Sequence, residues 1–347
     1  MEEHPGDVIT QRRWFTAGGG FVGLQTQFLK FHDAIKLDNY DENATLRDKR
    51  DRILARLREG FASRPVGERW TFEPFNQGSY AMSTGVIPVD GDYDIDVGVV
   101  FNGDPTQLDP LFVKGRVFEI VQPHTSRVVW QRPCITVHYQ NQGELIYHVD
   151  LPIYLKDSRG QLHLALGKQH SSAPHKRWEV QDPKGLIQKV QEKHSGEDRN
   201  QFRRVVRYLK RWKGHNFPSN GKAAPVGIGL TLCALQGFSP TRKSNWVYGY
   251  GTPVSSADYD DLAVTLALVQ WIRGQFRQVW SGGQVVNRLK IQTPVQPFDD
   301  VFERMTDQQM LEFYQRLGTL EDNLKEAQRT DSSAPLVKVF GSDFPSR

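Results

Sequence analysis

Cysteine is nearly missing from this 347-residue chain: Cys134 and Cys233 stand far apart, in apolar surroundings and without ligand-type spacing. That excludes a disulfide framework and a cysteine zinc site, and predicts two buried free thiols in a reducing compartment. No apolar run approaches the ~20 residues that cross a bilayer, so no membrane partner is expected. The opening MEEHPGDVITQRRW carries acids and no apolar stretch, which argues against a secretory leader and for a cytoplasmic protein. Nor does one sign of charge dominate. With 44 basic and 40 acidic residues the net charge is +4, too small to indicate a stable nucleic-acid partner. Internal repeats and low-complexity tracts are absent.

What is present is a change of hydrophobic period along the chain. Leu24, Phe28, Phe31 and Ile35 recur at helical spacing over 21–36, and Leu46, Ile53, Leu54, Leu57 and Phe61 do so over 42–61, with Asn43 as a cap. Between 71 and 166 the period drops to that of strands in TFEPF, DIDVGVVF, SRVVWQ, CITVHY, ELIYHVDLPIYL and QLHLAL. Residues 108–122 interrupt them with a helical pattern, giving a β-α-β segment. After a Gly, Ser, Pro and His-rich loop around 165–185, helices are predicted near 185–194, 198–213, 226–237, 258–279 and 306–327. The tail beyond Thr330 reads as part loop and part strand-like, through LVKVF. GIGLTLCAL, with Gly227 and Gly229, reads as a packed helix and not as a dinucleotide fingerprint, because no strand precedes it with the right glycine spacing. The chain thus divides into a sheet-bearing half, 1–170, and a helical half, 171–347.

Chemistry is concentrated in the sheet half. Asp94 and Asp96 stand one residue apart in GDYDIDVGVVF, so in a strand both leave the same face, about 6.6 Å apart along the chain. Neighbouring carboxylate oxygens suit Mg²⁺, which completes its shell with water and substrate phosphate. In ELIYHVDLPIY, the residues Ile146, His148 and Asp150 alternate onto one face and deliver a third carboxylate; a salt bridge to an arginine is the competing reading for Asp150 alone. His148 is read as structural, since Mg²⁺ prefers oxygen. Gly78-Ser79, between a strand and the helix-compatible AMST, would aim backbone N–H groups and a hydroxyl at an anion.

In the helical half Arg203, Arg204, Arg207, Lys210, Arg211 and Lys213 crowd one stretch, either a solvated helix face or a phosphate site. Tyr80, Trp178, Tyr248 and Tyr250 are candidates for stacking on a base, and His175-Lys176-Arg177 for lining a pocket.

Taken together, Gly78-Ser79, Asp94-Ile95-Asp96 and Asp150 resemble the pattern of the polymerase-β-like nucleotidyltransferase superfamily. QGSYAMSTGVIP, DYDIDVGVVF, HVDLPIYL, DPKGL, RYLKRWK and VFGSDFP narrow the likeness to the bacterial cGAS/DncV-like nucleotidyltransferases, or CD-NTases, a resemblance that spans the chain from about residue 28 to 344. The resemblance implies an α/β (α+β), bilobal fold with a mixed-sheet lobe and a helical lobe, and nucleotides between them. It also implies two Mg²⁺ ions on Asp94, Asp96 and Asp150, Ser79 on the donor triphosphate, and a lysine on the phosphates, Lys210 before Lys213. The implied activity is condensation of two or three nucleoside triphosphates into a cyclic oligonucleotide that acts on a separate effector in antiphage signalling, with a regulatory protein partner left open. The alternatives are a nucleotidyltransferase acting on RNA or protein, and a catalytically silent nucleotide-sensing scaffold.

Overall fold

A computed structural model of the chain describes residues 23–37, 40–141, 144–217, 224–242 and 258–346. Seven strands form one sheet: β1 (Glu73–Gln77), β2 (Tyr93–Asn102), β3 (Arg127–Trp130), β4 (Cys134–Asn141), β5 (Glu144–Lys156), β6 (Leu162–Leu166) and β7 (Arg177–Gln181). Their order is β1-β2-β5-β4-β3, with β6 joined to β5 and β7 to β6. Only β2 and β5 run parallel among these pairs, which is what α4 (Pro110–Val121) and the β3-β4 hairpin between them allow. Asp109 starts α4 by accepting from the N–H groups of Leu111 and Phe112, with Pro110 behind it.

Alternation assigns each face of the sheet. Ile95, Val97, Val99, Val149, Leu151, Ile153, Ile135 and Val137 turn one way, into a core shared with Leu54 and Leu57 of α2 (Tyr40–Ala62) and Val113 and Val117 of α4. The intervening residues of the same strands, Asp94, Asp96, His148, Asp150, Thr136 and His138, turn the other way. A slip of one residue would exchange the two sets, so the apolar core fixes where the acids go.

A second core is helical. It joins α1 (Gln25–Ile35), α6 (Gly196–Asn216), α7 (Gly227–Gly237), α8 (Asp261–Gly274), α9 (Asp307–Thr330) and α10 (Ala334–Phe340) around Phe28, Phe31, Trp212, Phe313 and Phe340, while α5 (Pro183–Glu192) adds Val190. At its centre the Asp261 carboxylate, fully buried, accepts from Arg204 Nε at 2.6 Å and from Gln201, with Tyr208 Oη 2.8 Å away. The cores do not part at one point of the chain. The apolar face of α1 belongs to the helical core and β7 extends the sheet past residue 170.

Three expectations are corrected here. The helix predicted over 258–279 ends at Gly274, and a hairpin of β8 (Arg277–Ser281) and β9 (Gln284–Arg288) follows. Gly282 and Gly283 both take positive φ, 55° and 84°, the pairing that a tight hairpin turn demands. RWEVQ, read as loop, is β7, since it completes the edge of β6. LVKVF lies in α10, where Leu336, Val339 and Phe340 pack into the helical core, so tertiary burial overrides its β-branched composition. Both cysteines are free and buried.

Lys114 is fully buried on α4 without a carboxylate partner among the described residues, donating to the carbonyls of Gln131, Arg132 and Gly167 at 2.7, 2.9 and 3.2 Å. It ties α4 to two loops. Burial lowers its pKa to about 8. Lys114→Met would leave three carbonyls without that donor and is expected to cost about 3 kcal/mol in a denaturant titration; an unchanged midpoint would show that water serves those carbonyls equally well.

Candidate active site

Strand register builds the site. In the parallel pair Asp94 lies beside His148 and Asp96 beside Asp150; in the antiparallel pair His148 faces His138 and Asp150 faces Thr136. On one face of the sheet this makes two adjacent polar rows, Asp94-His148-His138 and Asp96-Asp150-Thr136, with Gln77 of β1 opposite Asp96. Adjacent strands lie about 4.8 Å apart, so carboxylates distant in sequence become neighbours.

The Gly-Ser turn leans on the same spot. It forms α3 (Gly78–Ala81), a single helical turn that takes in only the first residue of the helix-compatible AMST, so any anion affinity would come from its first-turn N–H groups and the Ser79 hydroxyl. Gly78 has φ +63°, and a Cβ there would come within 1.8 Å of Asp96 Oδ2. Glycine is therefore required twice, by the backbone and by the carboxylate beneath it.

These groups open into a cleft of about 1060 Å³ that Gly78, Ser79, Asp94, Asp96, Lys210 and Lys213 all line. Asp150 stands beside Asp96 on the neighbouring strand, held by the Thr136 hydroxyl, which donates to Asp150 Oδ1 at 2.5 Å. That hydroxyl takes the place of the arginine salt bridge considered for Asp150. Among the described residues, the ligand atoms that gather within 4.8 Å of one another belong to Asp94, His148 and Asp150. His148 stands beside the acids: Nδ1 lies 2.9 Å from Asp92 and Nε2 3.3 Å from Asp94. Asp92 was overlooked, although DYDID places it two residues before Asp94.

Electrostatic strain is evident. Withdrawal from solvent, then the charges of Asp94 and Asp150, push the Asp96 carboxyl well above its ordinary range, and Asp150 is raised by burial and by Asp94. Burial opposes the charge on His148, but its hydrogen bonds and charge interactions with Asp94 and Asp92 prevail and raise it to about 10. An imidazolium therefore offsets part of the acids' repulsion. The Asp96 carboxylate, part-exposed along the cleft beside two more carboxylates, suits a divalent cation.

The basic cluster divides by direction. Arg204 is spent on Asp261 and Glu197, Arg207 donates to the Gly85 carbonyl, and Arg211 pairs with Asp343. Lys210 and Lys213 face the cleft. Lys210 Nζ donates to Thr84 O and Oγ1, both at 3.0 Å, and enclosure together with Arg207 and Lys213 lowers it to about 7, against the pull of Asp96 and Asp94. Burial lowers Lys213 too.

Other candidates lie elsewhere. Trp178 donates from its indole to Leu108 O and packs, like Tyr80, against the sheet core; neither lines the cleft. Lys176 pairs with Asp109 and Arg177 with Glu179, and neither these nor His175 line it. Tyr248 and Tyr250 fall outside the described residues. Sequence reasoning missed His215, Asn216, Phe217, Arg316 and residues 224–226 along the cleft wall, which carry no motif.

Residues 73–154 match the family described as "Cyclic GMP-AMP synthase DncV-like, nucleotidyltransferase domain", a span that holds Gly78, Ser79, Asp94, Asp96 and Asp150. Vibrio cholerae DncV in its apo form superposes over 93% of this chain and 96% of its own, with a TM-score of 0.66 at 14% identity. The chain has the DncV-like nucleotidyltransferase fold. The same fold appears in Bradyrhizobium diazoefficiens CD-NTase CdnG in complex with GTP, at 16% identity and TM-score 0.65 over 92% of this chain and 95% of that one. Escherichia coli MS115-1 CdnC with ATP matches at 18% identity and TM-score 0.60, over 93% and 99%. This agrees with the mixed-sheet and helical architecture expected from the DncV-like motifs.

The field at Asp96 sets a stability prediction. A carboxyl whose pKa rises on folding destabilises the fold once ionised, so Asp96→Asn should raise the Tm of the metal-free chain at neutral pH, with the gain vanishing below about pH 4 where the unfolded group is also protonated. Asp94→Asn removes a partner of the charged His148 and should give no such gain. Equal Tm shifts for both variants, followed by scanning calorimetry from pH 4 to 8, would contradict this account.

Proposed function

We propose that the chain is a cyclic oligonucleotide synthase that joins two or three nucleoside triphosphates and releases pyrophosphate at each step. The observation that carries this reading is the in-register placement of Asp96 against Asp150, with Asp94 one row away, beside a cleft that Asp94 and Asp96 line together with the Gly78-Ser79 turn and two lysines. Support comes also from the likeness to DncV, which has been seen with a nonhydrolyzable GTP and with the linear intermediate 5′ pppA(3′,5′)pG.

Divalent cations on Asp94, Asp96 and Asp150, Mg²⁺ by the family likeness and two in number, would neutralise phosphate oxygens and acidify the attacking ribose hydroxyl. The chain's own residues do the positioning. Ser79 and the first-turn N–H groups of α3 hold the donor phosphates, and Lys210 and Lys213 add positive charge from the opposite wall. Asp150, fixed by Thr136, faces the acceptor hydroxyl. Chemistry divides near residue 170 even though packing does not: the acids and the turn precede it, the lysines follow. No described helix is long and apolar enough to cross a membrane. We place the enzyme in the cytoplasm, in antiphage signalling, its product acting on a separate effector.

Incubation with all four ribonucleoside triphosphates and Mg²⁺, followed by mass spectrometry, should yield a cyclic di- or trinucleotide and pyrophosphate, and Asp96→Asn should reduce the yield on the order of 10³-fold. Extension of added RNA with no cyclic product would overturn the proposal.

Lys210 makes the phosphate site pH-dependent. A triphosphate favours the ammonium form of a lysine that otherwise deprotonates near pH 7, so binding should take up a proton above neutrality and weaken from pH 7 to 9. Lys210→Met should weaken triphosphate binding about 10- to 100-fold and flatten that profile. A Kd series by calorimetry that is equally steep in both proteins would remove Lys210 from the site.

A further inference from the structure

We infer that His148 is a nitrogen ligand of one divalent cation in this cleft, that Asp92 orients its ring for that task, and that this position therefore favours a borderline cation such as Mn²⁺ over Mg²⁺. The inference deepens the proposed function and rests on it for the metal's role, but not for its binding.

Three features of the geometry lead here. His148 Nε2, Asp94 and Asp150 present their ligand atoms within 4.8 Å of one another, close to the spread of two opposite ligands each about 2.1 Å from one ion. His148 Nδ1 is 2.9 Å from Asp92 Oδ1. A ring that donates one N–H to a carboxylate and turns its other nitrogen to a group of acids is the arrangement found around metal-bound histidines, where the outer carboxylate fixes both tautomer and orientation. Finally, strand register leaves His148 no other direction: its neighbours across β2 and β4 are Asp94 and His138, and an outward-facing residue of β5 cannot retreat into the apolar core behind it.

The donor set then bears on metal choice. Two carboxylates and one imidazole, which gives up its Nε2 proton to solvent as the cation binds, mix hard oxygen with a nitrogen that Mg²⁺ accepts poorly and the later divalent ions accept well. Asp96, pressed under Gly78, lies outside this three-residue group and remains for the second, all-oxygen position. The two positions would thus differ in the cation they prefer.

The test uses the full chain stripped of metal, with no nucleotide, titrated with Mn²⁺ alone and studied by pulsed EPR. Expected is a ¹⁴N coupling from a directly bound imidazole that disappears in His148→Gln, with Mn²⁺ affinity falling about 10- to 100-fold. Mg²⁺ affinity, measured by competition, should change less than about threefold in that variant. Asp92→Asn should keep the coupling while weakening Mn²⁺ about tenfold. No ¹⁴N coupling in the wild type, coupling that persists in His148→Gln, or unchanged Mn²⁺ affinity in that variant would each overturn the inference. If His148→Gln does not fold, the wild-type spectrum and Asp92→Asn suffice, since the absence of coupling or an unaltered affinity still refutes it. Absence of pyrophosphate release with metal bound as expected would instead count against the proposed function.

Discussion

Parallel pairing of β2 with β5 is the constraint on which the rest of this molecule depends. It sets Asp96 against Asp150 and Asp94 against His148, and it is fixed from behind, by apolar side chains that can bury in only one of the two alternations. Burial of the core thereby holds like charges together that would separate in water. Much of the site's electrostatic cost is thus met by the fold.

Around that pair the protein arranges its compensations. The His148 imidazolium offsets part of the negative charge, Thr136 satisfies one oxygen of Asp150, and Gly78 lets a backbone turn settle directly over Asp96. Facing these acids, Lys210 is held by Thr84 in an enclosure that depresses its charge. On the proposed reading, a bound cation would relieve the repulsion among the acids and a polyanion would restore the charge on Lys210. The helical core gives α6 the rigidity this requires, through the buried Asp261 contacts with Arg204, Gln201 and Tyr208.

Much of the fold was legible because its signals are local. Alternation marked β2, β4 and β5, and the stripe Leu46 to Phe61 marked α2. Legibility failed where packing decided the outcome. LVKVF is β-branched yet helical in α10, because its apolar residues fill the helical core. RWEVQ is a strand because β6 offers an edge. The β8-β9 hairpin is a different failure, since Gly282-Gly283 between alternating apolar residues was a readable signal that a helical pattern overran.

By itself the sequence determined the residue types and their local spacing: the Asp-x-Asp strand, the Gly-Ser turn, a later strand with one aspartate, a basic stretch, and hence the DncV-like resemblance. Only the tertiary structure decided which of these meet. It turned Lys210 and Lys213 to the cleft while spending Arg204, Arg207 and Arg211 elsewhere, and it moved Trp178 and Lys176 away. It also brought His148 and Asp92 in. Spacing along one strand or helix follows from fixed backbone geometry, whereas contact between distant strands depends on register, and register is set by the core as a whole.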